Sequence, residues 1–268
     1  MKITEKDTTL TPLTIVKIGG NVVDNAQLLD QVLHQFIKLQ GLKLLVHGGG
    51  KLATQLGEKL GLQAQMVGGR RLTDAAMLQV VTMVYGGEIN KTIVALLQAA
   101  GCNALGLTGA DGNLIPAHKR QKGALDWGFV GDFDPVSINT GLLQSLFAAG
   151  ITPVVAPLTH DGQGSLLNTN ADTIASGLAV ALSPFYPTTL TYCFEKKGVL
   201  LDVEDEASVI SRITPEDYSQ YKVQGVIAEG MLPKLDNAFA ALQAGVVQVR
   251  ICHALDIAHP QTGTALCL

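Results

Sequence analysis

Two clusters of glycine follow short apolar segments, Lys17-Ile18-Gly19-Gly20 and His47-Gly48-Gly49-Gly50. Glycine leaves backbone N–H groups open to an anion because it has no Cβ. A helix that starts directly behind such a turn adds a dipole that favours phosphate. Either cluster alone fits an ordinary tight turn between a strand and a helix equally well. Two clusters at the ends of successive strands favour a ligand site, because parallel sheets bind ligands at the carboxyl ends of their strands.

Two lysines and an aspartate could supply the charges that phosphoryl transfer needs. Lys17 lies inside an apolar segment, where a charge is costly unless it is paired. It is either an edge-strand lysine that reaches water or a cation aimed at the glycine turns. Lys234 follows Gly230-Met231-Leu232-Pro233 and by itself is typical of a surface lysine. Asp172 begins a helix of small residues, where it is either an N-cap or a carboxylate that orients the lysines.

Polar residues near Asp172 could bind a small polar ligand. Asn168 and Asn170 alternate, so in an extended segment both side chains face one side. They are either turn formers or amides that hydrogen-bond a ligand. Arg71 could hold a carboxylate through two hydrogen bonds, and its neighbour Arg70 is the competing candidate.

Three other glycine-rich motifs each lack a required part. No segment matches the P-loop pattern G-x-x-x-x-G-K-[ST]. Gly48 to Ala53 matches the dinucleotide-binding pattern, but the acidic residue expected after a second strand is missing. The hypothesis of a nicotinamide-dependent reductase is therefore weak. His47 and its glycines resemble an esterase oxyanion motif, yet the chain has no G-x-S-x-G elbow.

Composition limits the classes of protein to consider. The chain has 268 residues, is 47% hydrophobic, contains 29 glycines and carries a net charge of −4. It has no basic cluster, so we expect no nucleic-acid or membrane partner. The polar N-terminus and the lack of an apolar stretch of about 20 residues predict a cytoplasmic protein. The four cysteines are dispersed, which predicts reduced, mostly buried thiols and no zinc site.

The order of elements predicts an α/β fold. Leu13–Ile18 and Leu42–Val46 are short apolar strands, each followed by glycines and a helical pattern, and further such units follow. We predict one long or two consecutive helices over 73–98, interrupted at Gly86-Gly87. Residues 113–135 should be irregular or hairpin-like. A boundary near residue 180 separates lobes 1–180 and 181–268.

The order and spacing of these motifs resemble those of the amino acid kinase family, and within it the kinases that act on N-acetylglutamate. Seven segments that cover nearly the whole chain carry this resemblance: IVKIGGNVV (15–23), LLVHGGGK (44–51), GGRRLTD (68–74), GGEINKTIVALL (86–97), GLTGADGNLI (106–115), LNTNAD (167–172) and EGMLPKLDNAFAAL (229–242).

The resemblance implies an open αβα sandwich around a central, mainly parallel eight-stranded sheet. Lobe 1–180 would bind the acylated amino acid and form a homodimer, and lobe 181–268 would bind ATP. The reaction would be ATP-dependent phosphorylation of the side-chain carboxylate of N-acetyl-L-glutamate, in arginine biosynthesis. Mg²⁺ would arrive with ATP, without a protein metal site. Residues 1–12 look too short and polar for the helix that confers arginine inhibition, so we expect a dimer with weak arginine inhibition.

The resemblance also assigns roles to individual residues. Lys17 and Lys234 would neutralise the transferring phosphoryl group, and Asp172 would hold both lysines. The substrate would contact Arg71 through its α-carboxylate, and the two asparagines through the rest of the acylated amino acid. The remaining expected contacts are with glycines and one acid: Gly48 and Gly49 for the substrate, and Gly19, Gly20, Glu195 and Gly198 for the nucleotide.

The chain departs from the family pattern in two places. Phe194-Glu195-Lys196-Lys197-Gly198 replaces a Thr/Ser-Asp-Val-x-Gly segment near the nucleotide. Gly109-Ala110-Asp111 replaces Gly-Lys-Asp, so one cation is absent and the acyl pocket could differ. N-succinyl-L-glutamate therefore remains an alternative substrate, although the sequence does not identify a basic partner for its additional carboxylate. A non-catalytic amino-acid sensor with the same fold is the alternative from another class.

Overall fold

The computed structural model describes residues 11–227 and 231–268, and its centre is an eight-stranded sheet of order β12-β14-β13-β11-β1-β2-β8-β5. Strands β12 and β14 run opposite to the other six, so the sheet is mainly parallel, as predicted. Its strands are β1 (Leu13–Ile18), β2 (Leu42–His47), β5 (Ala104–Leu107), β8 (Thr152–Val155), β11 (Thr188–Phe194), β12 (Arg212–Ile213), β13 (Gln248–His253) and β14 (Thr264–Leu266).

Three small antiparallel pairs lie outside this sheet, and the helices cover its two faces. The pairs are β3 (Met66–Val67) with β4 (Arg70–Arg71), β6 (His118–Lys119) with β7 (Gly131–Asp132), and β9 (Leu158–His160) with β10 (Leu166–Asn168). The α-helices are α1 (Gly20–Val23), α2 (Ala26–Ile37), α3 (Gly50–Lys59), α4 (Ala75–Val81), α5 (Asn90–Ala99), α6 (Thr140–Ala148), α7 (Ala171–Leu182), α8 (Pro215–Val223) and α9 (Leu232–Gln243).

The sheet separates two apolar cores because alternate residues of a strand point to opposite faces. In β1, Leu13 and Ile15 pack into the core formed with α6, α7 and α9, whereas Val16 and Ile18 pack into the core formed with α2, α4 and α5. Lys17 shares the alternation of Leu13 and Ile15. The strand pattern therefore directs Lys17 to the face that α7 covers.

The segment Ala75–Ala99 is helical throughout, but its middle is a π-helix, Thr82–Ile89, that includes Gly86 and Gly87. The interruption predicted at these glycines is thus a change of helix type and not a break. By length and composition alone this segment could cross a membrane. Its buried residues instead pack in the core beside β1 and β2.

Two features of the C-terminal part of the chain lie near the predicted site residues. One isolated bridge joins Leu200 to Val209, just after Gly198. Helix α9 begins at Leu232, two residues before Lys234. The boundary predicted near residue 180 falls at the end of α7, and the sheet continues across it because β11 pairs with β1.

Candidate active site

The two glycine turns lie against each other at the carboxyl ends of β1 and β2. These strands are parallel neighbours with Ile18 opposite His47, and the Gly48 N–H donates to the Ile18 carbonyl at 2.9 Å. A Cβ on Gly48 would lie 3.4 Å from the backbone nitrogen of Gly20. Gly20 begins α1 and Gly50 begins α3. Unsatisfied N–H groups of two helix starts therefore converge at one place, which suits an anion.

His47 and Asn90 hold the second turn in place, a role that sequence reasoning missed. His47 is completely buried, and its Nδ1 donates to the Gly48 carbonyl at 2.8 Å. Its Nε2 accepts from Asn90 Nδ2 at 3.2 Å, and the same amide donates to the Val154 carbonyl. Burial lowers the pKa of His47 to about 4, so the imidazole is neutral near pH 7.

Gly49 is fixed by the helix above it. Its φ is +159°, and a Cβ there would collide with Ile89 Cδ1 and come within 3.1 Å of Tyr85 Cδ1. Both neighbours belong to the π-helix Thr82–Ile89. A residue larger than glycine fits only if the side chains of Ile89 and Tyr85 move.

Lys17 and Asp172 form an ion pair beside the glycine turns. Lys17 Nζ lies 2.7 Å from Asp172 Oδ1, and the side chains are only 11% and 17% exposed. Asp172 lies in the first turn of α7, and Tyr192 Oη donates to its backbone carbonyl at 3.3 Å. The N-cap interpretation of Asp172 is wrong, because Asn170 occupies that position and accepts from the Thr173 N–H.

Lys234 is near this pair but in contact with another group. Its Nζ lies 4.2 Å from the centroid of the Phe194 ring, a cation–π distance. Burial lowers the pKa of Lys234, Asp172 opposes that change, and Lys17 adds to it. Asp172 thus contacts Lys17 directly and influences Lys234 from a greater distance. Phe194 was not among the predicted site residues.

A polar crevice and an apolar cavity meet at Phe194 and Glu195. The crevice is lined by Lys17, Lys234, the first glycine turn and Gly50 of the second. The adjoining cavity is lined mainly by aliphatic residues and contains Gly198. Together they suit a molecule with a phosphate chain at one end and a flat apolar group at the other. The cavity residues besides the two shared ones are Lys196, Gly198, Val199, Leu200, Val203, Val226, Ile227, Met231 and Ile251.

A second pocket begins on the other side of Gly50, which lines both it and the crevice. We call it the acceptor pocket. Its lining contains two arginines and two asparagines and no aspartate or glutamate. The lining residues are Gly48, Gly49, Gly50, Met66, Gly69, Arg70, Arg71, Tyr85, Val130, Pro157, Asn168, Thr169, Asn170 and Ala171.

The polar groups of the acceptor pocket differ in how they are already engaged. Arg71 is 6% exposed, and its Nη2 donates to the Gly50 carbonyl at 2.8 Å and to Thr54 Oγ1 at 2.7 Å. Asn168 Nδ2 donates to Thr73 Oγ1 at 2.9 Å. Asn170 uses its side-chain oxygen to cap α7. All three residues line the pocket, as the alternation of the asparagines and the neighbouring arginines suggested.

Ala110 does not belong to this pocket. It is exposed and is absent from the pocket lining. The expected effect of the missing cation on the acyl pocket stays a prediction. Asp74, the acidic residue weighed for a dinucleotide site, is the N-cap of α4 and accepts from the Met77 N–H.

One cysteine, Cys193, lines the crevice. All four cysteines are free, and two of them, Cys193 and Cys252, are buried while the others are partly exposed. Within 11–227 and 231–268, no three His, Cys, Asp or Glu side chains are placed to hold a metal ion.

Comparison with known proteins gives consistent matches over most of the chain. The model of the family described as "Amino acid kinase family" matches residues 12–253. The acetylglutamate kinase of Phocaeicola vulgatus is 57% identical over 239 residues, which is 89% of this chain and 92% of that protein. The acetylglutamate kinase of Cytophaga hutchinsonii is 57% identical over 243 residues, or 90% and 91% of the two chains. The crystal structure of smu.665 from Streptococcus mutans UA159 superposes with a TM-score of 0.76 at 27% identity, over 95% of this chain and 98% of that one.

Proposed function

The chain belongs to the amino acid kinase family, and from that membership we infer that it transfers the γ-phosphoryl group of ATP to the side-chain carboxylate of N-acetyl-L-glutamate, in arginine biosynthesis. The single observation that carries this function is the buried Lys17–Asp172 ion pair at the junction of the two glycine turns. It supports the proposal because it holds a cation in the polar crevice, beside Gly19.

The chemistry needs positioning and charge more than proton transfer. A carboxylate is already a nucleophile, so no general base is required. The barrier is the approach of two anions, and the enzyme lowers it by holding them in line and neutralising the developing charge. The side-chain carboxylate attacks the γ-phosphorus, a new P–O bond forms, and the bond to the β-phosphate oxygen breaks to release ADP. Lys17, Lys234 and the N–H group of Gly49 supply the neutralising charge, whereas the Gly48 N–H already donates to the Ile18 carbonyl.

The two sides of the site have distinct partners in this proposal. The phosphates of ATP occupy the crevice against Gly19 and Gly20, and the base occupies the apolar cavity near Glu195 and Gly198. Mg²⁺ enters with the nucleotide and neutralises phosphate charge, since the described residues provide no dedicated set of metal ligands.

The acceptor lies in the pocket beyond Gly50. Its side-chain carboxylate points to Gly48 and Gly49, its α-carboxylate binds Arg71, and the acylated amide lies between Asn168 and Asn170. Arg71 can make that contact by sharing the N–H groups that now bind protein oxygens.

The wider setting follows from the same proposal. We infer a cytoplasmic homodimer in which lobe 1–180 binds the acceptor and forms the dimer contact, while lobe 181–268 binds ATP. The expectation of weak arginine inhibition depends on residues 1–12, of which 1–10 lie outside the described residues. A sensor with the same fold is the less favoured function, because the buried Lys17–Asp172 pair and Lys234 are all present.

A hydroxamate assay for acyl phosphate tests this function. We expect ATP-dependent product with N-acetyl-L-glutamate, and a loss of about 10²–10³-fold in kcat for Lys17→Ala and for Lys234→Ala. Lys59→Ala, at an exposed position at the end of α3, is the matched control and should retain activity. Near-normal turnover in folded Lys17→Ala enzyme would refute the assignment, and ATP binding without product would favour the sensor.

A further inference from the structure

Arg70 presents a buried guanidinium nitrogen that has no acceptor. Its Nη2 donates to Thr173 Oγ1 at 3.2 Å, whereas its Nη1 is buried and has no hydrogen-bond partner within 11–227 and 231–268. Buried donors are nearly always satisfied, and a charged one left unpaired is costly. Because Arg70 lines the acceptor pocket, a ligand is the natural source of the missing acceptor.

The carboxylates near Arg70 are already engaged with other cations. Asp132 Oδ1 and Oδ2 each lie 2.7 Å from Arg120 Nη1, and Asp172 lies 2.7 Å from Lys17. Burial lowers the pKa of Arg70 and the charge of Arg120 adds to this change, while Asp132 and Asp172 oppose it. An additional anion beside Arg70 would supply the acceptor that its Nη1 lacks.

The two arginines of the pocket point to opposite walls. Arg70 and Arg71 are consecutive in β4, so their side chains leave the strand on opposite sides. Arg71 reaches α3 through Gly50 and Thr54, on the side of the glycine turn. Arg70 reaches Thr173 in the first turn of α7. A ligand lying between them can meet one arginine at each side.

The charges of the acceptor do not match this pocket if its acyl group is neutral. N-acetyl-L-glutamate has two carboxylates, and the reacting one belongs at Gly48 and Gly49. The α-carboxylate then satisfies one arginine and leaves the other without a partner. No aspartate or glutamate lines the pocket to compensate. A carboxylate at the free end of the acyl group would complete the match.

We propose that Arg70 is a specificity-determining residue that binds a terminal carboxylate on the acyl group, so that the acceptor pocket takes N-succinyl-L-glutamate and related dicarboxylic acyl derivatives in addition to N-acetyl-L-glutamate. The proposal rests on the kinase function proposed above. The phosphoryl transfer itself is unchanged, because the same side-chain carboxylate attacks ATP and ADP leaves.

The test compares three acceptors with the wild-type enzyme by steady-state kinetics. They are N-acetyl-, N-succinyl- and N-levulinoyl-L-glutamate, the last having a methyl ketone in place of the terminal carboxylate at the same chain length. We expect kcat/KM for the succinyl acceptor to exceed that for the levulinoyl acceptor by about 10- to 100-fold, the range of a charge-assisted pair. We expect the acetyl acceptor to be used as well.

Substitution of Arg70 then identifies the residue responsible. In Arg70→Leu the ratio of kcat/KM for the succinyl acceptor to kcat/KM for the levulinoyl acceptor should fall to about one, through a higher KM for the succinyl acceptor. Arg70→Lys, which keeps the charge but not the paired donors, should retain part of the advantage. Arg212→Leu, at an exposed position in β12, is the control and should change none of the three.

The outcomes separate the inference from the function on which it rests. Acyl phosphate from the acetyl acceptor, with no advantage of succinyl over levulinoyl, overturns the role of Arg70 alone. An equal loss with all three acceptors in folded Arg70→Leu also overturns it, since Arg70 would then bind the α-carboxylate. Absence of acyl phosphate from every acceptor overturns the kinase function and this inference together. If Arg70→Leu does not fold, the wild-type comparison and Arg70→Lys decide.

Discussion

Protonation of His47 should destabilise this protein in a defined range of pH. The ring is completely buried, Nδ1 donates to Gly48, and Nε2 accepts from Asn90. A protonated imidazole has two donors and no acceptor, so its Nε2–H would face the Asn90 amide group, which is itself a donor. The fold therefore favours the neutral ring, and the pKa of His47 falls from 6.5 to about 4.

The sign and size of the effect follow from linkage. The unfolded chain takes up this proton near pH 6.5 and the folded chain only near pH 4, so stability is complete above about pH 6.5 and falls as the pH drops. The full difference corresponds to about 3 kcal/mol, of which about 2 kcal/mol is lost by about pH 5. Below about pH 4 both states carry the proton and this contribution no longer changes.

Urea unfolding between about pH 7.5 and pH 5 measures this contribution as a difference between proteins. His47→Gln removes the titrating group, so its free energy of unfolding should fall less than that of wild type by about 2 kcal/mol over this range. His34, whose side chain is 54% exposed, provides the control His34→Gln, which should follow the wild-type curve. Parallel curves for wild type and His47→Gln would refute the buried neutral histidine.

Three further predictions concern the catalytic groups. Gly49→Ala should reduce activity at least about tenfold, because its Cβ meets Ile89 Cδ1. Adding Ile89→Val, which removes that atom, should restore part of the activity. Gly87→Ala, where a Cβ has free space, is the control and should be neutral in the same assay. Phe194→Leu should lower kcat by about 2- to 30-fold and Phe194→Tyr much less, since a ring under the Lys234 ammonium contributes about 0.5–2 kcal/mol, and an equal loss in both variants would contradict a cation–π role. Because burial lowers the pKa of Lys234, the basic limb of the plot of kcat against pH should lie below pH 10.5 and move to higher pH in Lys234→Arg. A basic limb that does not move would exclude Lys234 as its source.

The main architecture could be predicted because local signals agree with the global fold. The segments Leu13–Ile18 and Leu42–Val46 are short, apolar and followed by glycines, and both are strands of the central sheet. Their parallel pairing brings the two turns together without any information beyond the order of elements. Helix α7 begins and ends where its small-residue pattern predicts, at Ala171 and Leu182.

The details of the site depend on contacts between residues far apart in sequence, which local patterns do not encode. The partner of His47 is Asn90, and that of Asn168 is Thr73. Phe194 in β11 and Lys234 in α9 are 40 residues apart in sequence, and only the packing of these two elements makes them neighbours. Local patterns also left Asp172 open as an N-cap of α7, a position that Asn170 occupies.

The arginine pair shows what the structure adds to a local pattern. Ala110, where the sequence lacks a cation, is exposed and does not line the acceptor pocket. Arg70 and Arg71 both line it, whereas the sequence offered only a choice between these neighbours. Both arginines can serve the pocket, because strand alternation in β4 directs one of them to each wall.

The π-helix explains how one segment can serve both the core and the site. A π-turn inserts an extra residue into a helix and rotates the positions that follow, and such turns are frequent at functional sites. Here Thr82–Ile89 places Ile89 and Tyr85 against Gly49, while Asn90, the next residue, supports His47. The glycine pair that looked like an interruption thus lies inside a continuous helix, whose wider turns bring Tyr85 and Ile89 to Gly49 and Asn90 to His47.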